Sequence, residues 1–217
     1  MTPTLLGGVR WSCMAAILVL TGASGSGKTT LLRAVEAMEI PAVACFQCDT
    51  IYHGLPEEVR ADGEVAQDAI LDHWVKHALD RPAIELAVLE TQIRPHKAQA
   101  MLRRLGVAVH RVVLVECEQA ERETRLRGPR AQPELANPRM ENWAAYMRGQ
   151  ADALALDIID TSGVPISALS ARLRPIVESL FERTRAVPSD LNRVDAESDD
   201  GQVNLRGVWA DHRAFGT

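Results

Sequence analysis

A glycine-rich stretch near the start of the chain restricts its local fold more than any other feature. Residues 19–32 read VLTGASGSGKTTLL, and an apolar run ends just before the glycines. The pattern GxxxxGK[ST] is matched at all of its fixed positions, which are Gly22, Gly27, Lys28 and Thr29. A helical pattern follows, so a strand, a tight loop and a helix must succeed one another. In this context the pattern predicts a loop whose backbone N–H groups surround a chain of phosphates.

Each residue of this loop has an expected part in binding a nucleoside triphosphate. The expected cofactor-binding residues are Gly22, Ala23, Ser24, Gly25, Ser26, Gly27, Lys28, Thr29 and Thr30. We expect Lys28 to reach the β- and γ-phosphates as a catalytic residue, and the Thr29 hydroxyl to hold Mg²⁺. ATP and Mg²⁺ are therefore the expected cofactors. A flexible turn that binds nothing is disfavoured, because a superfluous glycine costs about 0.5–1 kcal/mol.

Apolar runs alternate with longer amphipathic patterns along the chain, which is typical of a parallel sheet covered by helices. The predicted strands are residues 15–20, 42–48, 83–89, 110–116 and 157–160. The predicted helices are residues 27–37, 64–79, 97–105, 118–127, 139–154 and 166–182. The expected fold class is α/β, with a five-stranded parallel sheet sandwiched by helices and a helical lid.

The sequence predicts one domain with a segment on either side of it. Residues 14–183 carry the strand and helix patterns, and residues 118–153, rich in charge and arginine, form the expected lid. Residues 1–13 are interpreted as an N-terminal extension, and a start at Met1 or at Met14 stays open. The polar residues 184–217 lack periodicity, so a flexible C-terminal tail is expected.

Composition narrows the class of partner. The chain has 217 residues, is 47% hydrophobic and 24% charged, and carries a formal net charge of −5. This charge disfavours binding to nucleic acid, because phosphate backbones attract basic surfaces. Its four cysteines are scattered, no secretory signal is visible and no apolar run is long enough for a membrane span, so a cytoplasmic protein is expected. Self-association into a homo-oligomer stays open.

Two carboxylates follow the ends of predicted strands, where the ligand of an open parallel sheet binds. We expect Asp49 to orient an acceptor hydroxyl and take its proton, and Glu90 to contact magnesium or the acceptor. Glu116 and Asp160 also end strands and are rival magnesium ligands. The expected metal residues are therefore Thr29 and Glu90, with the rivals left open.

The loop after the third predicted strand and the expected lid supply further candidates. Gln92 and Arg94, in ETQIRPHK, are expected to bind the acceptor together with Asp49 and Glu90, and Arg94 would clamp an anionic group. A surface charge is the alternative for Arg94.

Arginines cluster just after the fourth predicted strand. Arg122 and Arg125 are expected to stabilise the transferring group, and Arg130 to contact the nucleotide. The alternative is a solvated helix in which nearby glutamates pair with the arginines.

These motifs together resemble the small P-loop kinases of the nucleoside-monophosphate, gluconate and shikimate kinase type, within the P-loop NTPase superfamily. The resemblance rests on GASGSGKT, on Asp49 in CDTIYHG, on RETRLRGPR and on IDTSG, and it covers residues 14–182. It implies an ATP-dependent phosphotransferase with a lid, and it places the turn 160–163 near the adenine. No motif typical of a nucleotide, shikimate or gluconate acceptor is present, so the acceptor does not follow from it.

Two functions remain after these observations. The first is an ATP- and Mg²⁺-dependent kinase that moves the γ-phosphoryl group to a metabolite, nucleotide or antibiotic. The second is a nucleotide-dependent regulatory ATPase or switch without a small-molecule acceptor. Recognisable switch motifs are lacking and the lid is kinase-like, so the sequence favours the kinase.

Overall fold

Five parallel strands and seven helices form the part of the chain that the structure, a computed structural model, describes, residues 15–186. The strands are β1 (Ala16–Thr21), β2 (Val43–Gln47), β3 (Leu86–Thr91), β4 (His110–Glu116) and β5 (Asp157–Asp160). The helices are α1 (Lys28–Glu36), α2 (Glu57–Arg60), α3 (Gly63–Leu79), α4 (Pro95–Arg104), α5 (Gln119–Arg127), α6 (Pro138–Ala153) and α7 (Ile166–Ala186). The predicted extension 1–13, and the predicted tail from residue 187 onward, lie outside the described residues.

The sheet has the strand order β2-β3-β1-β4-β5, and every paired strand is parallel to its neighbour. β1 is central and all six of its residues are buried. A parallel strand covered on both faces is expected to be apolar throughout, as AILVLT nearly is. The predicted fold class, a five-stranded parallel sheet between helices, is confirmed.

Alternate side chains of the strands feed two cores on opposite faces of the sheet. On one face, Ile17 and Val19 of β1 pack with buried residues of α3 and α4. On the other face, Leu18 and Leu20 pack with buried residues of α1 and α7. A smaller cluster joins Leu114 of β4 to α6. The predicted lid segment is thus anchored through α6 to the sheet.

Three strands differ from their predicted bounds, β1 by a shift of one residue to Ala16–Thr21. β2 stops at Gln47 because the chain turns into a 3₁₀ segment, Cys48–Gly54, whose Thr50 hydroxyl donates to the Gln47 carbonyl at 2.7 Å. Asp49 therefore lies in that 3₁₀ segment and not at a strand end. β3 begins later than predicted, because a turn from Arg81 to Ile84 precedes it, and it includes Glu90.

Register brings the functional loops together at the carboxyl edge of the sheet. Thr21, the last residue of β1, is paired with Thr91 of β3 on one side and with Leu114 of β4 on the other. The glycine loop after β1 therefore lies between the ends of β3 and β4. A ligand site at this edge is the usual consequence of such a topology.

Candidate functional site

The loop from Gly22 to Gly27 folds tightly because two of its glycines occupy positions that a side chain could not share. Gly22 has φ +155°, and a Cβ there would lie 2.1 Å from the carbonyl oxygen of Val115 in β4. Gly27 has φ +97°, in the left-handed region, and its Cβ would lie 3.1 Å from the Thr161 hydroxyl. No side chain caps the N-terminus of α1, so its first N–H groups remain available to an anion.

Lys28 lies at the centre of the site and is 3% exposed. Its ammonium donates a hydrogen bond to the Ala23 carbonyl of the loop at 3.0 Å. Burial lowers the pKa of Lys28 from its usual value of 10.5 to about 8, although the negative charges of Glu90 and Asp49 oppose the change. Such a buried cation can interact strongly with phosphate, and phosphate in turn stabilises its charged form.

The donor set beside Lys28 fits a magnesium ion. The Thr29 hydroxyl donates to Oε1 of Glu90 at 3.0 Å, so a hydroxyl and a carboxylate oxygen stand together. Mg²⁺ prefers oxygen ligands and is commonly bound by one or two such side chains together with substrate phosphates. Among residues 15–186 no group of three or more His, Cys, Asp and Glu side chains is arranged to hold a metal by itself.

The two rival carboxylates have other contacts. Glu116 forms an ion pair with Arg148 at 2.5 Å. Asp160 accepts hydrogen bonds from the backbone N–H and the hydroxyl of Ser162, at 2.8 and 2.6 Å. Within the described chain, Glu90 is thus the carboxylate that contacts Thr29.

A cavity of about 650 Å³ opens beside the loop, and we call it the loop cavity. Its walls include Gly25, Gly27, Thr29, Thr30, Arg125, Arg130, Thr161 and Ile166. Arg125 donates to the hydroxyl and carbonyl of Thr161, at 2.8 and 2.9 Å, and to the Gly25 carbonyl at 3.3 Å. Thr161, 1% exposed, donates in turn to the Ser26 carbonyl at 2.8 Å. Arg125 and Thr161 therefore join the loop to the turn after β5.

The other two predicted lid arginines lie in different surroundings. Arg130 is exposed and lines the loop cavity. It lies close enough to Lys28 for its positive charge to help lower the pKa of that lysine. Arg122 is 5% exposed, donates two hydrogen bonds to the Glu141 carboxylate and one to the Cys117 carbonyl at 2.9 Å. Arg122 thus connects α5 to α6 from within the protein, through bonds from all three nitrogens of its guanidinium.

A second cavity, of about 790 Å³, lies between α3, the loop after β3 and α6, and we call it the α3–α6 cavity. Gln92 and Arg94, both predicted to bind an acceptor, line it. Gln92 also accepts a hydrogen bond from the Ser24 hydroxyl at 3.3 Å, so a residue that lines this cavity contacts the glycine-rich loop. Arg94 forms an ion pair with Glu64 at 2.5 Å.

Asp49 lies at the edge of this arrangement. Its carboxylate accepts a hydrogen bond from the amide of Gln67 at 3.5 Å, and Gln67 accepts one from the Thr91 hydroxyl at 3.0 Å. Gln67 lines the α3–α6 cavity, and Asp49 is close enough to Lys28 to raise its pKa. Asp49 and Glu90 thus lie close to Lys28, although Asp49 belongs to the 3₁₀ segment and Glu90 lies within β3 rather than after it.

Sequence patterns did not identify several side chains of the site. Gln67, Trp143 and Tyr146 lie in stretches interpreted only as amphipathic helix, and Thr161 was considered only as part of a turn. The one local indication for Thr161 was its position directly after an apolar strand. The orientation of Gln67, Trp143 and Tyr146 depends on how α3 and α6 pack, which their own sequences do not encode.

No family model matches the chain, and a comparison with curated protein sequences finds no significant match. None of the helices in residues 15–186 is long and apolar enough to cross a membrane.

Solved structures with a similar fold include small-molecule kinases. The shikimate kinase of Acinetobacter baumannii, in complex with shikimate, is 14% identical with a TM-score of 0.50, over 78% of this chain and 96% of that one. The APS kinase of Mycobacterium tuberculosis, in complex with AMPPNP and APS, is 16% identical with a TM-score of 0.51, over 76% and 98%. A gluconokinase from Sinorhizobium meliloti 1021 is 16% identical with a TM-score of 0.50, over 78% and 98%. The resemblance to P-loop small-molecule kinases is thereby confirmed as a likeness of fold.

Proposed function

We propose that the protein is an ATP- and Mg²⁺-dependent phosphotransferase that moves the γ-phosphoryl group of ATP to a small-molecule acceptor. One observation carries the proposal: the glycine-rich loop lines one cavity and is hydrogen-bonded to a residue that lines the other. Thr29 lines the loop cavity and donates to Glu90, whereas Ser24 donates to Gln92 of the α3–α6 cavity. A donor and an acceptor can therefore be bound on two sides of the same phosphates, as direct transfer requires.

The loop cavity suits the nucleotide. Its polar end consists of the phosphate-binding loop with Arg125 and Arg130, and its other end includes Val164, Ile166 and Leu169. Ile166 is 58% exposed, an unusual amount for a large apolar side chain. A nucleobase placed against it would cover that surface and gain about 25 cal/mol for each Å² buried. This supports the predicted position of the adenine near the turn after β5.

The residues around Lys28 suit phosphoryl transfer. Mg²⁺, when bound between Thr29, Glu90 and the phosphates, would neutralise charge on the transferring group. Lys28 and Arg130 would stabilise the same negative charge. Asp49 would orient the acceptor hydroxyl and take its proton. Arg125 would contact the nucleotide from the Thr161 turn, and Arg122 would act indirectly, by fixing α5 beside the loop.

The proposal places the reaction in the cytoplasm. Cys45, Cys48 and Cys117 are free thiols, which fits a reducing compartment. A regulatory ATPase or switch remains the alternative function, because it would need the loop cavity and not the α3–α6 cavity.

Phosphotransfer with labelled ATP tests the proposal. The protein is incubated with [γ-³²P]ATP and Mg²⁺ against a panel of nucleosides, nucleotides, sugars, sugar acids and aminoglycosides, and labelled products are separated. Transfer to at least one compound is expected. Hydrolysis of ATP without any labelled acceptor would contradict the proposal and favour the switch. Lys28→Ala should abolish transfer, whereas Lys76→Ala, at an exposed lysine of α3 paired with Asp72, should not.

Asp49→Asn tests the assignment of the base. The substitution keeps the shape of the side chain and its contact with Gln67 but removes the proton acceptor. Binding of an ATP analogue should be nearly unchanged, while the transfer rate should fall by about 10²–10⁴. An equal loss of binding and transfer would contradict a role for Asp49 in proton transfer.

A further inference from the structure

The α3–α6 cavity contains an aromatic surface that the proposed function does not explain. Trp143 and Tyr146 lie one turn apart on α6 with their rings stacked, the centroids 5.6 Å apart and the planes at 24°. The guanidinium of Arg94 lies 5.6 and 5.5 Å from the two ring centroids. We call these three side chains the aromatic shelf. Tyr146 is 43% exposed, and all three side chains of the shelf line the cavity.

The basic side chains of the cavity are largely compensated by its own acids. Arg94 is paired with Glu64, and Lys97 is paired with Glu64 at 3.1 Å and with Asp68 at 2.9 Å. Asp62 and Arg139 complete a lining of three carboxylates and three basic side chains. A cavity with no net formal charge gives an anion little electrostatic advantage, since Arg94 and Lys97 already form ion pairs with acids of the same cavity.

The remaining polar groups of the cavity suit uncharged hydroxyl and carbonyl oxygens. Gln92 uses its carbonyl oxygen to accept from Ser24, and within the described chain its amide nitrogen donates no hydrogen bond. Asn142 lines the cavity, and its side chain forms no hydrogen bond with any other described residue. Amide donors of this kind orient neutral polar ligands without requiring an opposite charge.

The volume of the cavity sets the scale of the ligand. About 790 Å³ lies within the range of pockets that bind drug-sized molecules, roughly 300–1,000 Å³. The shelf lies at one side of this space and Gln67, which contacts Asp49, lies at another. A ligand that reaches both must carry a ring at one end and a hydroxyl at the other.

We propose that the phosphoryl acceptor is an uncharged, ring-bearing alcohol, of the chemistry found in a nucleoside or a glycoside, with its ring on the aromatic shelf. This inference rests on the proposed function. The acceptor hydroxyl oxygen forms a bond to the γ-phosphorus, while the bond from that phosphorus to the β,γ-bridging oxygen breaks and ADP leaves with the electron pair. The hydroxyl proton passes to Asp49. Recognition by stacking and amide hydrogen bonds replaces recognition of a charge by Arg94.

Matched pairs of probes test the absence of charge. Thymidine is compared with thymidine 5′-monophosphate, and methyl glucoside with methyl glucuronide, by calorimetry on the full chain with AMPPNP and Mg²⁺ already bound. The uncharged member of at least one pair should bind at least about tenfold more tightly than its anionic partner. The pair that binds distinguishes a nucleoside from a glycoside. Tighter binding of the anionic members, or binding of none of the four at millimolar concentration, would overturn the inference.

Variants of the shelf and of its charge partner give a second, independent readout. Tyr146→Leu should raise the Kd of the bound probe about tenfold, because a stacked ring contributes up to about that factor, whereas Tyr146→Phe, which keeps the ring, should not. Glu64→Gln removes the negative charge that pairs with Arg94 and Lys97. The variant should therefore bind the anionic probe of each matched pair more tightly than the parent protein does. Equal binding by Tyr146→Leu and the parent protein would overturn the aromatic shelf as the ring site.

The outcomes separate this inference from the proposed function. Labelled transfer to anionic acceptors alone would refute the inference and leave the phosphotransferase intact. Binding of an uncharged ring probe without transfer to any compound of the screen would refute the phosphotransferase, and with it the assignment of that probe as an acceptor.

Discussion

At the scale of the residue, the proposed contact of Lys28 with the phosphates would make nucleotide binding depend on pH. Its pKa in the free protein is about 8, below the usual 10.5, because the ammonium is buried. A bound phosphate chain favours the charged form and raises that pKa. Below pH about 8 the lysine is protonated before and after binding, so affinity should be constant. Above that pH binding must take up a proton, and affinity should fall by up to about tenfold for each pH unit.

Calorimetry with AMPPNP over a series of pH values, in buffers with different ionisation enthalpies, measures both the affinity and the proton uptake. Lys28→Met keeps an apolar chain of similar length and cannot titrate. It should bind weakly at every pH and show no uptake at residue 28. If the affinity of the parent protein for AMPPNP instead stays constant up to pH 10.5, the usual pKa of lysine, the lowered pKa of Lys28 is contradicted.

Glu90 provides the second prediction at this scale. Its carboxylate accepts the Thr29 hydrogen bond, so Glu90→Gln removes a charge from the expected magnesium site with almost no change in volume. The Mg²⁺ concentration for half-maximal nucleotide binding should rise about 10–100-fold, as is typical when a supporting carboxylate is lost. Glu116→Gln is the control, because Glu116 pairs with Arg148 at the end of β4. If Glu116→Gln raises this Mg²⁺ concentration more than Glu90→Gln does, Glu116 and not Glu90 is the carboxylate that supports magnesium.

At the scale of the element, we predict that the contact between α5 and α6 stabilises the folded protein. Arg122 and Glu141 are paired with side chains only 6% and 18% exposed. Glu141→Ala leaves a buried guanidinium without its partner, so the free energy of unfolding should fall by about 3 kcal/mol or more. The free energy of unfolding should fall less in the apolar double variant Arg122→Met/Glu141→Leu than in Glu141→Ala, because neither charge remains buried.

Urea unfolding followed by circular dichroism measures these differences. Arg148→Ala, at a half-exposed ion pair, is the control and should cost less than about 1 kcal/mol. A loss of similar size in Glu141→Ala and in this control would show that the contact between α5 and α6 carries little free energy.

The same two helices show what the sequence could and could not predict. The strands at residues 110–116 and 157–160 were predicted correctly, and so was the order of strand, loop and helix around the glycines, because apolar runs and glycine spacing are local properties. The sequence equally predicted α5 as an arginine-rich helix. It could not predict that Arg122 faces inward, since that depends on Glu141 of α6. Nor could the sequence predict that the Thr161 hydroxyl donates to the Ser26 carbonyl, because this contact joins residues 135 positions apart.

At the scale of the whole molecule, the sheet separates the tasks of the site. In the proposed function the loop after β1 supplies the phosphate contacts. The turn after β5 and the start of α7 line the loop cavity, and α3 and α6 line the α3–α6 cavity. The two cavities are linked at the end of β3, where Glu90 accepts a hydrogen bond from Thr29 and Gln92 accepts one from Ser24. A ligand in the loop cavity therefore contacts elements from both edges of the sheet and should stabilise the folded chain as a unit.

Ligand-dependent thermal unfolding tests this coupling. A ligand that binds only the folded protein adds about 2.7 kcal/mol of stability at a concentration 100 times its Kd. For a domain of this size that corresponds to a rise in Tm of roughly 5–10 °C. AMPPNP with Mg²⁺ should produce such a rise in one cooperative transition. Lys28→Ala should abolish the shift at the same concentration, and Lys76→Ala should retain it. Two separate transitions, with only one moved by the nucleotide, would show instead that the loop cavity and the α3–α6 cavity belong to parts that unfold independently.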